Sequence, residues 1–144
     1  SAINSIHNEI CPVVSPDGKK LYFTRWKHPD NLGKDKNQDI WFSKLKDDKS
    51  WSKAELFSRP INNEENNAVC GISLNGKTIL LNNVYGKDGK MEKGVSVSYL
   101  LRTGDFSFPK PLQILNFKNN YDMYFQNVRK ICSAKPHNDN FFEQ

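Results

Sequence analysis

The chain has 144 residues, a net charge of +5 and 37% hydrophobic residues, fewer than the roughly 45–50% of an average domain. Its length is one domain's worth, its aromatic content of 12% supplies large groups for a core, and no apolar run nears the roughly 18 residues of a membrane-spanning helix. Apolar and charged residues alternate in organised blocks, which argues against disorder.

In chain order, Ser1-Ala2-Ile3-Asn4 opens without a charged n-region and apolar run, so any signal peptide is expected to be removed or to lie upstream. A first strand is expected over 10–15, closed by the hairpin signal Pro16-Asp17-Gly18-Lys19, in which Gly supplies a positive φ. A second strand follows over 21–26, rich in aromatic and β-branched types. Then come a polar loop over 28–38, a third strand over 40–45, a turn around Asp47-Asp48-Lys49, Trp51, and a fourth strand over 54–57. The second half repeats the plan with strands near 68–73, 78–83, 95–100 and 111–115. No segment sustains a 3.6-residue apolar period, so helices are not expected.

The repetition is anchored residue by residue. Ser15, Gly18, Lys19 and Phe23 match Ser73, Gly76, Lys77 and Leu81 at an offset of 58. Ile40-Trp41-Phe42-Ser43 matches Val95-Ser96-Val97-Ser98 at an offset of 55, as Trp51-Ser52 matches Phe106-Ser107. Two units result, 1–60 and 61–113, and a tail over 114–144 reads as a partial or divergent third, with Tyr124-Phe125 in its first strand. Leu21 and Phe23 lie on one face of their strand and Tyr22 and Thr24 on the other. Both faces carry large groups, as in a sheet sandwiched between neighbours.

Four antiparallel strands recurring every 50–60 residues describe β-propeller blades. The run Asn8-Glu9, Ser15-Pro16-Asp17-Gly18-Lys19-Lys20-Leu21-Tyr22-Phe23, Asp39-Ile40-Trp41 and Trp51-Ser52 resembles the TolB-type, WD-repeat-like propeller repeat. It is especially similar to the version in Bacteroidota envelope proteins of the OmpA family. In the second unit Asn75 replaces Asp17 and Gly94 replaces Asp39. The resemblance implies an all-β fold of two complete blades and a partial third. It implies a non-catalytic, protein-binding module of the cell envelope, periplasmic or outer-membrane-associated. The alternatives are an accessory propeller of a peptidase, or a propeller that senses a ligand or glycan. A closed ring needs roughly four to eight blades, so further blades of a parent protein or self-association are expected, with Tyr22, Trp41, Leu80 and Tyr99 exposed at the open faces.

Candidate chemistry is sparse. His7, His28 and His137 adjoin no nucleophile elbow, and Ser15 has its twin in Ser73, which points to a strand-end role. Asp35-x-Asn37-x-Asp39 has the alternate oxygen ligands that open a calcium loop, but Ile40 and Lys46 stand where Gly and Glu belong. The loop therefore reads as solvated, with Asp39 bonded to a neighbouring turn. Glu9, Glu64 and Glu65 differ in repeat position, unlike a designed acid pair. Gly86, Gly89 and Gly94 read as flanking a long hairpin loop. Cys11, Cys70 and Cys132, odd in number and without CxxC spacing, argue against a disulfide or zinc set, and Cys11 and Cys70, one register apart in the first strands, read as small buried hydrophobes facing opposite ways. Lysines cluster at Gly/Asp/Asn turns as solvated groups, and Arg25-Trp26-Lys27-His28 has the uncharged counterpart Asn83-Val84-Tyr85-Gly86, so nucleic acid is not an expected partner. No cofactor is expected. Asp17, Gly18, Asp39, Trp41, Trp51, Gly76 and Phe106, with the two serines, are read as repeat-signature structural residues.

Overall fold

A computed structural model describes residues 2–113; the tail read as a third unit lies outside them. The described chain is all-β: two four-stranded antiparallel sheets, each a meander in chain order, with no helix among the described residues. The first holds β1 (Asn8–Val14), β2 (Lys20–Trp26), β3 (Gln38–Lys44) and β4 (Glu55–Leu56), and the second β5 (Val69–Ile72), β6 (Thr78–Tyr85), β7 (Met91–Tyr99) and β8 (Lys110–Pro111). The sheets do not close on themselves.

The repeat is reproduced atom by atom. Ser15 Oγ donates to Asp17 Oδ1 at 2.6 Å and accepts from the Lys20 N–H at 2.8 Å. Ser73 Oγ does the same with Asn75 Oδ1 at 2.7 Å and the Thr78 N–H at 3.0 Å. Gly18 and Gly76 each take a φ of +70°, where an L side chain would be strained. At the other hairpin, Ser43 Oγ and Ser98 Oγ each donate, at 2.6 Å, to the carbonyls of Ser52 and Ser107. Trp51 bridges Leu45 as Phe106 bridges Leu100.

Both first strands carry an irregularity at one repeat position, between Ile10 and Val13 and between Val69 and Gly71, and the half-buried Cys11 and Cys70, which form no disulfide, lie within them. In the second sheet β6 and β7 run further than the repeat suggests. They pass a bulge at Asn83 and end in a tight turn at residues 86–90. Gly94 is thus a strand residue and not a loop flank: a Cβ there would approach Val84 Cγ2 to 2.7 Å.

The sheets pack back to front. Tyr22 and Ile40 of the first share a core with Val69, Ile79 and Leu81 of the second, joined by Ile61, Tyr85 and Phe106. The repeat counterparts of these residues lie elsewhere. Phe23, the counterpart of Leu81, sits with Trp41 and Ala54 on the far side of the first sheet, and Leu80, the counterpart of Tyr22, sits with Val95 and Val97 on the far side of the second. One face of unit one therefore meets the opposite face of unit two, as in a stack rather than a two-fold sandwich. The join is reinforced by Asn62. Its side chain accepts from the Ile40 N–H and donates to the Ile40 carbonyl, both at 2.8 Å, and so takes the place of a partner strand on β3.

The outward faces are not open. Trp41 and Leu80 are each only 4% exposed, and Tyr99 is half-buried. Tyr22, expected at an open face, lies in the core between the sheets. Ile3 packs on the Phe23–Trp41 face, and the Ala2 carbonyl accepts from the Ala54 N–H at 3.2 Å. The segment before β1 thus covers part of the face that a preceding unit would occupy.

Candidate functional site

The β2–β3 loop contains the residues with the most ligand-like spacing. Lys27, with a φ of +57°, leaves β2 and turns its Nζ back to the Asp35 carbonyl at 2.8 Å and to Asn37 Oδ1 at 2.9 Å. An ammonium therefore stands against the groups that a bound cation would use. Asp39 points the other way, into the protein, where its Oδ2 accepts from the Leu32 N–H at 2.5 Å. The three candidate ligands Asp35, Asn37 and Asp39 are not brought together, and among the described residues no three His, Cys, Asp or Glu side chains form a metal-binding group.

Nor is the loop simply solvated. Asp39 is 1% exposed, and burial pushes its carboxyl up to about 6 against the opposing pull of the Leu32 N–H. Asn31, fully buried, anchors the loop. Its Nδ2 donates to the Arg25 and Asn37 carbonyls at 2.9 Å, and its Oδ1 accepts from Trp41 Nε1 at 2.9 Å. His28 stands edge-on to Trp41, ring centroids 4.5 Å apart, and His7 edge-on to His28. Burial, then the nearby Arg25 charge, lowers the His28 pKa.

Arg25 completes this cluster. It is 6% exposed, its guanidinium lies 4.4 Å from the Trp41 ring centroid, and its Nε donates to Glu9 Oε1 at 3.0 Å. Partial burial pushes the Glu9 carboxyl up, but hydrogen bonds from Ser5 and the Arg25 charge hold it below the ordinary range. Glu64 instead pairs with Arg59 on the surface, so Glu9 and Glu64 do not share a site. The polar side chains of the cluster are directed at backbone and at one another. It packs around Trp41, whose ring meets Arg25 and His28 and whose Nε1–H meets Asn31.

The signature aromatics divide. Phe106 is buried in the core between the sheets, with its ring centroid 5.9 Å from that of Phe57 of unit one, whereas Trp51 is only half-buried. Sequence reasoning missed Asn31, Asn62 and Asn67. The Asn67 N–H donates to the Gln38 carbonyl at 2.7 Å, and its side chain donates to the Tyr85 hydroxyl. The only signal was an asparagine beside Ile at both unit starts, Ile3-Asn4 and Ile61-Asn62. No family model, no characterised protein and no solved structure matches the chain.

Proposed function

We propose that the chain is a non-catalytic β-propeller module that serves as a protein-binding scaffold in a bacterial cell envelope, in the periplasm or at the outer membrane. The observation that carries this reading is the back-to-front packing of two equivalent four-stranded sheets, the relation that consecutive propeller blades require. The envelope location rests on the resemblance of the Ser15–Phe23 region and its Asp-Ile-Trp continuation to the envelope repeat. The loop cluster supports a non-catalytic role, because its buried polar groups hold the loop on the sheet.

Two measurements test the proposal. A panel of peptide, ester and glycoside substrates should show no turnover above background; turnover that survives repurification would replace the scaffold with an enzyme. Sedimentation over a concentration series identifies the source of neighbours: growth by head-to-tail addition, which a back-to-front contact gives because it does not close on two copies, would mean self-association. A strictly monomeric species would remove self-association from the proposal and leave further blades of a parent protein as the neighbours.

A further inference from the structure

Between the sheets, at the end carrying the Asp17-Gly18 and Asn75-Gly76 turns, lies a cleft of about 460 Å3. Its two walls differ in chemistry. Unit one contributes Lys19, Lys20 and Lys44, and unit two contributes Ile72, Leu74 and Leu100. Lys20 and Lys44 are direct cross-strand partners in the β2–β3 register. Like charges placed so destabilise a sheet, and among the described residues neither forms an ion pair with a carboxylate. Both ammonium groups instead lie over the Phe42 ring, 5.6 and 5.4 Å from its centroid. The acid on the same wall, Asp17, is engaged by Ser15 Oγ and the Lys19 N–H. The counterparts of this lysine pair in unit two, Thr78 and Tyr99, are uncharged partners in the same register, so the repeat does not need the charge. Across the cleft Leu74 is 77% exposed at the turn position that Pro16 holds in unit one.

We propose that this cleft binds an acidic, leucine-like peptide segment of a protein partner, the Lys20–Lys44 pair taking an Asp or Glu carboxylate and the Ile72–Leu74–Leu100 wall its apolar neighbour. An added carboxylate would turn an unfavourable cross-strand pair into two charge-assisted contacts. The rings of Tyr22 and Phe106 also line the cleft but are almost wholly buried, so the exposed Leu74 and Leu100 side chains are what a ligand meets, which favours peptide side chains over a sugar face. The inference rests on the protein-binding reading above.

The test uses the full chain and a fluorescein-labelled peptide of alternating Leu and Glu, with a Gln-for-Glu analogue and an oligogalacturonate as comparisons. Anisotropy should show saturable binding of the Glu peptide, weakened by salt and at least about tenfold weaker for the analogue. Lys20→Thr and Lys44→Tyr import residues the fold accepts in unit two. Each should weaken binding about tenfold while leaving the melting temperature unchanged or raised. Leu74→Asp should abolish binding in a protein that melts normally. Equal affinity for the two peptides, no binding of either, binding indifferent to both lysine variants, or binding of oligogalacturonate alone would each overturn the proposal. Failure here leaves the sedimentation and turnover results untouched, so it is distinguishable from failure of the scaffold reading.

Discussion

The two units share a skeleton and differ in what each carries at its edges. The Ser15 and Ser73 turns and the Ser43 and Ser98 hairpin bonds match to within about 0.2 Å. Yet Trp51 is half-buried where Phe106 is core, and a loop anchored by Asn31 in unit one becomes the tight turn at 86–90 in unit two. Backbone-directed bonds depend only on the chain beside them and survive sequence drift. Side-chain burial depends on which sheet lies next door, so identical repeat positions acquire different energies.

That contrast gives the largest expected effect. Phe106→Ala removes a ring from between the sheets and should cost about 3–5 kcal/mol, whereas Trp51→Ala, at the same repeat position, should cost about 1–2 kcal/mol because much of its ring is already in water. Urea denaturation of both variants checks the ratio, and equal losses would dissolve the comparison. Asn31→Ala comes next. It strands Trp41 Nε1–H and removes the bonds to the Arg25 and Asn37 carbonyls, the latter keeping the Lys27 N–H, and should cost about 2–3 kcal/mol.

Asp39 gives a pH signature that Gly94, its counterpart, lacks. Its folded pKa of about 6 lies above the ordinary 3.8, so folding takes up a proton between those values. This group's contribution to stability should fall as pH rises through this window and stay lowered above it, by up to about 3 kcal/mol. Asp39→Asn keeps an acceptor for the Leu32 N–H and should flatten that decline and raise stability at pH 7. Urea midpoints of both chains between pH 3.5 and 7.5 report it as a difference, since Glu9, Asp17 and Asp48, whose pKa values are lowered, act with the opposite sign in both; a difference that does not change across the window would contradict the assignment. Smallest are the turn serines. Ser15→Ala and Ser73→Ala should each cost about 1 kcal/mol and agree to within about 0.5 kcal/mol, read from paired melts.

Much of the fold was legible because its signals are local. Alternation along 21–26 and 78–83, the Asp-Gly and Asn-Gly turns and the recurring Trp51 and Phe106 places are each written within a few residues. Face assignment was equally readable: Phe23 and Tyr22 do lie in different cores. The candidate site was much less legible. An asparagine in a polar loop looks the same whether it meets water or caps a buried strand, so Asn31, Asn62 and Asn67 passed as loop residues. The loop was read as solvated, with Asp39 bonded to a neighbouring turn, because nothing within it announces that Asp39 is buried. The expectation that Trp41 and Leu80 would be exposed failed because strand patterning carries no information about what a distant segment covers, and for Trp41 the Ile3 segment contributes to that cover.

The central claim, that the units stack back to front, is tested most directly by a double-mutant cycle on Phe57 and Phe106, with Phe23 and Phe106 as the control pair. Phe57 and Phe106 meet across the two sheets at 5.9 Å, whereas Phe23 belongs to the core on the far side of the first sheet. The stack predicts a coupling of about 0.5–1.5 kcal/mol for the first pair and additivity within about 0.5 kcal/mol for the second. Additivity at Phe57–Phe106 together with coupling at Phe23–Phe106 would mean that the sheets meet through other faces, and the back-to-front relation would be wrong.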